Sequence, residues 1–188
     1  GLGYQVLKQN TTGDANVALG YQALNTNTTG SENVALGKDA LALNTIGNHN
    51  IALGAAALYQ NTTGYRNVAI GKDAMQKNTT GIENVAIGHE ALLENITGAL
   101  NVAVGKSSLK NNTNGSRNVG LGYQSLFSNT IGTDNIALGD SALYNNTTGV
   151  KNIGIGRDAL KEKISIAVFL QRSLHRWTHK MEDWVFLG

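Results

Sequence analysis

The chain repeats one five-residue pattern at a strict interval of 17 residues. In its clearest copy the pattern reads Asn84-Val85-Ala86-Ile87-Gly88, and its general form is Asn-[Val/Ile]-[Ala/Gly]-[Leu/Ile/Val]-Gly. Repeats of fixed period form architectures in which each unit stacks on its neighbours, so the period constrains the fold before any local motif does. The nine copies begin, without insertion or deletion, at Asn16, Asn33, Asn50, Asn67, Asn84, Asn101, Asn118, Asn135 and Asn152.

Two columns of the repeat contain only glycine. The first column is the last residue of the five-residue pattern and runs from Gly3 to Gly156, and the second runs from Gly13 to Gly149. Glycine at a fixed phase indicates either a positive φ or a backbone with no room for a Cβ. Each repeat is therefore predicted to turn two corners.

The residues between the corners alternate in the manner of a short strand. We expect the first and third apolar residues, such as Val85 and Ile87, to point into the coil. The middle residue never exceeds a methyl group, which predicts close packing on the opposite face. A tight turn of the same coil would explain this, but the length of the row favours a subunit interface. That interface would consist of Ala18, Ala35, Ala52, Ala69, Ala86, Ala103, Gly120, Ala137 and Gly154.

The segment that follows the glycine of the five-residue pattern ends in a small and then a large apolar residue, as in Ala74-Met75. It fits a second short strand with a bend or a single helical turn. The loop that follows is usually Asn-Thr-Thr-Gly, with side chains that bond nearby backbone in turns. Stacked coils also let asparagines form ladders, and we expect ladders from Asn10 to Asn146 and from Asn16 to Asn152.

One coil of 17 residues cannot bury its own apolar face, whereas stacked coils form one continuous core. The predicted fold is therefore all-β: a parallel β-roll or β-solenoid of ten 17-residue coils over residues 1–163. A solenoid of strands and short helical turns is the alternative.

The pattern fails at Lys163, and residues 164–188 form a separate unit. Its apolar residues follow a three-and-four spacing that predicts an amphipathic helix. This helix would cap the open end of the solenoid or join subunits. Its assembly residues would be Leu170, Leu174, Trp177, Met181 and Trp184.

No catalytic, cofactor or metal constellation emerges from the sequence. The pair His175 and His179 has a spacing that can hold zinc, but both lie off the apolar seam. Residues 1–160 carry ten basic and ten acidic residues, so they lack the footprint of a nucleic-acid binder. There is no apolar run long enough for membrane insertion. The chain has eight Asn-x-Thr sequences, for which turn chemistry is a sufficient explanation: Asn10, Asn27, Asn61, Asn78, Asn95, Asn111, Asn145 and Asn146.

Residues 1–160 resemble the repeats of phage tail fibres and related tail-fibre-domain proteins. The Asn-Val-Ala-Ile-Gly core is also similar to the head repeat of trimeric autotransporter adhesins of the YadA type. The resemblance implies a left-handed parallel β-roll with three chains side by side and the alanine row facing the trimer axis. The period departs from that of the adhesin head, which is usually shorter.

These observations predict a structural attachment protein, not an enzyme: a rigid homotrimeric segment of a phage tail fibre or bacterial surface adhesin. It would be extracellular, on a cell surface or on a virion, and would bind a host or cell-surface receptor or glycan. The alternatives are an extracellular filament that assembles end to end and, less favoured, an ice-binding protein, because of the threonine rows. Ligand contacts would lie at variable positions such as Tyr21, Lys38, Tyr65, Arg66, Tyr123 and Phe127.

Overall fold

The structure is a computed structural model that describes residues 1–162. The predicted C-terminal helix, with its assembly residues Leu170, Leu174, Trp177, Met181 and Trp184, lies outside the described residues.

The described chain is a parallel β-solenoid whose nine short strands form one sheet in chain order. Each strand residue pairs with the residue 17 positions later, as Ala69 pairs with Ala86. The 17-residue period is therefore the register of the sheet, and the prediction of a stacked all-β solenoid is confirmed. The strands are β1 (Val17–Leu19), β2 (Val34–Leu36), β3 (Ile51–Leu53), β4 (Val68–Ile70), β5 (Val85–Ile87), β6 (Val102–Val104), β7 (Val119–Leu121), β8 (Ile136–Leu138) and β9 (Ile153–Ile155).

The segment after each first glycine is neither a second strand nor a helical turn. It is a run of turns in which two residues take left-handed backbone angles, for example Glu90 (φ 59°) and Leu92 (φ 51°). A left-handed leucine costs about 1–2 kcal/mol. Leu92 is fully buried, and burial of a leucine side chain contributes about 1.5–3 kcal/mol, which offsets the strain. The described residues contain no helix, so the strand-and-helix alternative is wrong.

The alanine row points into the solenoid, and this overturns the predicted orientation of the strands. Ala86 has no exposed surface, whereas its neighbour Ile87 is 38% exposed. The core consists of three inward columns: the strand alanines, the small turn residues such as Ala91, and the large turn residues such as Leu92. The row predicted as a subunit interface therefore lies inside one chain, and its alanines are at most 3% exposed. The alanines so buried are Ala18, Ala35, Ala52, Ala69, Ala86, Ala103 and Ala137.

The middle residue is small because the interior of the coil is narrow. A Cβ built on Gly120 would lie 2.6 Å from Ser108 Oγ, and one on Gly154 would lie 3.0 Å from Leu143 Cγ. The tight-turn explanation that the sequence left open is the correct one, and Gly120 and Gly154 belong to the same inward row.

The two glycine columns are required for different reasons. Gly88 has a φ of +136°, and a Cβ there would lie 2.6 Å from the carbonyl oxygen of Gly105 in the next coil. Gly81, in the second column, has no room for a Cβ because Asn78 Oδ1 and Gly98 O lie against it. Both of the reasons for glycine that the sequence suggested therefore apply to the first column, and only the lack of room for a Cβ applies to the second.

Two asparagine ladders run along the solenoid, as predicted. In the loop ladder, each Nδ2 donates to the Oδ1 of the preceding coil at 2.7–2.9 Å, from Asn27 to Asn146. In the strand ladder, from Asn33 to Asn152, the same bond measures 3.0–3.2 Å. There the backbone N–H of the later coil donates to the same Oδ1 at 2.9–3.0 Å. Each coil is thus held to the next by buried side-chain bonds as well as by the sheet.

Candidate functional site: an apolar strip on the sheet

The first and third residues of every strand form a continuous apolar strip on the outer face of the sheet. Because the middle residue is turned inward, alternation places its two neighbours outward. We call this surface the apolar strip. It consists of Val17, Leu19, Val34, Leu36, Ile51, Leu53, Val68, Ile70, Val85, Ile87, Val102, Val104, Val119, Leu121, Ile136, Leu138, Ile153 and Ile155.

Every side chain of the strip is partly or clearly exposed to solvent in the single chain. The exposed fraction reaches 55% at Val17 and 68% at Ile155, near the two ends. With strands ~4.8 Å apart, the strip is ~38 Å long, and its two rows of side chains make it ~12 Å wide. Its area is on the order of 450 Å², within the range of about 300–600 Å² found for the largest apolar patch of a typical monomer, which often has a function.

Polar columns border the strip on both sides. The column before the strands includes Glu32, Arg66 and Asp134, and the column after them includes Lys38 and Lys106. An apolar centre with a charged border is the usual anatomy of a protein interface.

Ion pairs between successive coils order the column that precedes the strands. Arg66 Nη1 lies 3.2 Å from Glu83 Oε1, and the Arg117 guanidinium donates two hydrogen bonds to Asp134, at 2.6 and 3.1 Å. The hydrogen bond from Arg117 lowers the pKa of the Asp134 carboxyl, and the same bond raises the pKa of Arg117. These pairs are largely solvated, so they fix side-chain positions more than they add stability.

The six residues expected to contact a ligand do not form one site, although two pairs are in contact: Lys38 Nζ lies 5.9 Å from the Tyr21 ring and Arg66 Cζ lies 5.6 Å from the Tyr65 ring. Tyr21, Lys38 and Tyr123 lie in the column after the strands, Tyr65 and Arg66 lie before them, and Phe127 lies in the turn segment. Two aromatic stacks extend this set: Tyr4 stacks on Tyr21 with ring centroids 5.3 Å apart, and Phe127 stacks on Tyr144 at 4.9 Å.

Tyr4 and Tyr144 were missed because each variable residue was considered alone. The 17-residue spacing is a signal that could have paired each with its partner. The apolar strip was missed because the strand residues were assigned inward, although the invariant small and large residues of the turn segment already fill a narrow core.

The two threonine rows differ in their accessibility. Hydroxyls of the first row donate to the backbone carbonyl of the next coil at 2.8–3.1 Å, as Thr28 does to the carbonyl of Thr45. The second row is exposed but is interrupted by Ile46, Asn114 and Ile131. Only the irregular second row is therefore exposed along its whole length, because the first row is half-buried at most of its positions.

Within residues 1–162, no group of three or more His, Asp or Glu is placed to hold a metal ion. The same residues contain no helix long and apolar enough to span a membrane. The chain matches no protein-family model, no curated protein and no solved structure.

Proposed function

We propose that the chain is a rigid structural and attachment module without enzymatic activity. It would be a segment of a homotrimeric fibre of the kind found in phage tails and bacterial surface adhesins. The three chains would meet through the apolar strip, which takes the place of the alanine row as the subunit interface. Such a module would be extracellular, on a cell surface or on a virion.

The observation that carries this proposal is that the strip is outward-facing and yet never polar. Other outward columns of the repeat vary freely between coils: the column of Lys38, for instance, also holds Ala55, His89 and Asp140. A solvated strand position tolerates Thr, Lys or Glu, whereas all 18 strip positions hold Val, Leu or Ile. Contact with other chains explains this restriction, because apolar area removed from water stabilises an assembly by about 25 cal/mol per Å².

The buried ladders support a mechanical role. Every coil bonds to the next through the sheet and through two asparagine side chains, so bending the rod would stretch hydrogen bonds that water cannot replace. Three such rods side by side would multiply both the stiffness and any weak receptor contacts.

Finer features of the proposal rest on the sequence and the resemblance. They are a left-handed coil, ten coils in all, and an amphipathic helix in residues 164–188 that caps the solenoid or joins subunits. A receptor or glycan would contact the variable outer positions, such as Tyr21 or Tyr123.

A filament that assembles end to end is the second candidate, and one observation favours it. The buried Oδ1 of Asn146, the last acceptor of the loop ladder, has no hydrogen-bond partner among residues 1–162. An unsatisfied buried acceptor costs about 1–3 kcal/mol, so a donor at that end of the solenoid would be stabilising.

Analytical ultracentrifugation of the wild-type chain and of two matched double variants tests the trimer. Ile87→Glu/Leu121→Glu places two charges on the strip, two coils apart. Thr63→Glu/Thr97→Glu places the same charges, with the same spacing, on exposed loop positions. We expect a trimer for the wild type and the loop variant and a folded monomer for the strip variant. A wild-type chain that remains monomeric at 50 µM, roughly the range of weak assemblies, would contradict the proposal, and long fibres in electron microscopy would favour the filament.

A further inference from the structure

The structure divides the Asn-x-Ser/Thr sequences of the chain into hidden and accessible ones. Besides the eight with threonine there is a ninth, Asn114-Gly115-Ser116. The Asn-x-Ser/Thr sequence is the acceptor motif for N-linked glycosylation. Six of the nine asparagines belong to the loop ladder: Asn10, Asn27, Asn61, Asn78, Asn95 and Asn146.

Five of the ladder asparagines, Asn27, Asn61, Asn78, Asn95 and Asn146, are fully buried and unavailable as acceptors. Asn78, for example, has no exposed surface. Its Nδ2 donates both hydrogens, one to Asn61 Oδ1 at 2.8 Å and one to the carbonyl of Gly81 at 3.1 Å. A side-chain amide has only two hydrogens to donate, so this nitrogen cannot enter an enzyme without the ladder breaking. Asn10, in the first coil, is half-buried and donates only one of its two Nδ2 hydrogens, to the carbonyl of Gly13.

The remaining three acceptor sequences begin outside the ladder. Asn114 and Asn145 are exposed, and Asn111 is half-buried. Their backbone N–H groups bond to the next coil, as Asn114 does to the carbonyl of Thr130 at 3.2 Å. Their side-chain amides form no hydrogen bond with residues 1–162, so these amides project from a backbone that is already fixed.

The three accessible asparagines differ in the hydroxyl residue that completes the motif two positions later. Thr147, which completes the Asn145 sequence, is exposed. Thr113, which completes the Asn111 sequence, donates its hydroxyl to the carbonyl of Thr130 at 3.1 Å. Ser116, which completes the Asn114 sequence, accepts from the backbone N–H of Ala99 at 3.0 Å and donates to the carbonyl of Asn114 at 3.5 Å. Only the Asn145 sequence therefore combines an exposed asparagine with an exposed hydroxyl residue, and the half-buried Asn111 is the poorest of the three acceptors.

These acceptors also lie away from the apolar strip. Asn114 lies in the loop region and Asn145 is the last residue of the turn segment, and a glycine corner lies between each of them and the nearest strand. A sugar attached there would project from a face that does not contain the strip.

We propose that Asn114 and Asn145 are sites of N-linked glycosylation and that the sugar is transferred to the folded chain from a nucleoside-diphosphate sugar. Nδ2 attacks the anomeric carbon of the donor and forms the N–C bond. The bond from that carbon to the diphosphate oxygen breaks, and its electron pair leaves with the nucleoside diphosphate. Nδ2 gives up one proton to a base of the transferase, and no oxidant or reductant is needed.

The folded state is essential to this selection. In an unfolded chain all nine sequences would be open, and a sugar on Asn78 would then replace its ladder bonds and would not fit into the closed interior. Modification after folding avoids that damage, because the fold itself protects the ladder.

A soluble asparagine-specific glycosyltransferase and a nucleoside-diphosphate hexose test the proposal on the purified full chain. Peptide mapping by mass spectrometry should find hexose on Asn114 and Asn145, with the half-buried Asn10 and Asn111 modified more slowly. The buried ladder asparagines from Asn27 to Asn146 should remain unmodified. Proteolytic peptides of the same chain, offered to the same enzyme, should gain hexose on ladder asparagines as well.

The variants Asn114→Gln and Asn145→Gln should each lose one hexose and keep the circular dichroism spectrum of the wild type. Hexose on Asn78 of the folded chain at the rate seen for Asn145 would overturn the proposal. So would the absence of hexose from both Asn114 and Asn145. Neither result depends on the oligomeric state, so this test is separate from that of the fibre.

Discussion

Enlarging the residue on one face of a strand, and separately shrinking its neighbour on the other face, tests which face is the interior. In β5, Ala86 has no exposed surface and Ile87 is 38% exposed. Ala86→Leu adds three carbons to an interior that the turn alanines and leucines already fill. Overpacking of this kind costs about 1–3 kcal/mol. Ile87→Ala removes three carbons that are just over half buried, which amounts to about 1.5 kcal/mol.

The two variants should differ in how their stability depends on protein concentration. Ala86→Leu should lower the midpoint of urea unfolding, followed by circular dichroism, equally at every concentration, because its strain lies within one chain. Ile87→Ala should lose more stability at high concentration, where the wild type gains from assembly.

An unchanged urea midpoint for Ala86→Leu, together with a changed mass in ultracentrifugation, would refute the inward orientation of the alanine row. The variant Ala86→Glu would be less informative. It should lose the trimer whether Ala86 faces a partner or the core, because a buried unpaired charge also unfolds the chain.

Three further predictions concern the interior and the charged surface. Gly120→Ala should destabilise the chain by about 1–3 kcal/mol, because the new Cβ would lie 2.6 Å from the Ser108 hydroxyl and 3.0 Å from that of Ser125. Adding Ser108→Ala and Ser125→Ala should restore most of that loss, and a double-mutant cycle that shows no coupling would contradict this explanation. Asn84→Ala should cost about 3 kcal/mol in urea unfolding, because it leaves buried ladder groups without partners; a cost below that of an exposed asparagine would contradict the ladder's role. A hydrogen bond from Lys110 to the Glu90 carboxylate lowers the pKa of Glu90. The stability that this pair contributes is therefore present above the unfolded pKa of about 4.3 and is lost as the pH falls through the folded pKa. Glu90→Gln should therefore lower the free energy of unfolding in urea by at most about 1 kcal/mol at pH 7, and by progressively less as the pH falls through the folded pKa of Glu90; an effect that does not change with pH would exclude the ion pair.

The sequence was sufficient for the features that depend on the period alone. A strict 17-residue interval predicted parallel strands in register, two corners and two asparagine ladders, because stacking places equivalent residues directly above one another. The ladder bond of Asn84 to Asn67, at 3.1 Å, is such a case. It requires only that an amide with a donor and an acceptor meets its own copy in the next coil.

The period alone could not predict which residues of each strand point into the solenoid. Alternation gives two faces but does not say which of them is inside, and two large residues against one small residue suggested the wrong choice. The deciding residues lie in the turn segment, where Leu92 takes a left-handed φ of 51° that local propensity argues against. Once that leucine fills the narrow interior, only an alanine or a glycine fits opposite it, and Val85 and Ile87 have to face outward.

The same ladders give the two ends of the solenoid opposite chemistry. Every loop-ladder bond runs from Nδ2 of one coil to Oδ1 of the preceding coil, so the donors all point towards the first coil. At the first coil, Asn10 donates one hydrogen to the carbonyl of Gly13 at 2.8 Å and has a second to give. At the other end, the buried Oδ1 of Asn146 can only accept. Bonds arranged in line polarise one another, so a group that covers the far end of the rod must bring a donor, and one that covers the near end must bring an acceptor.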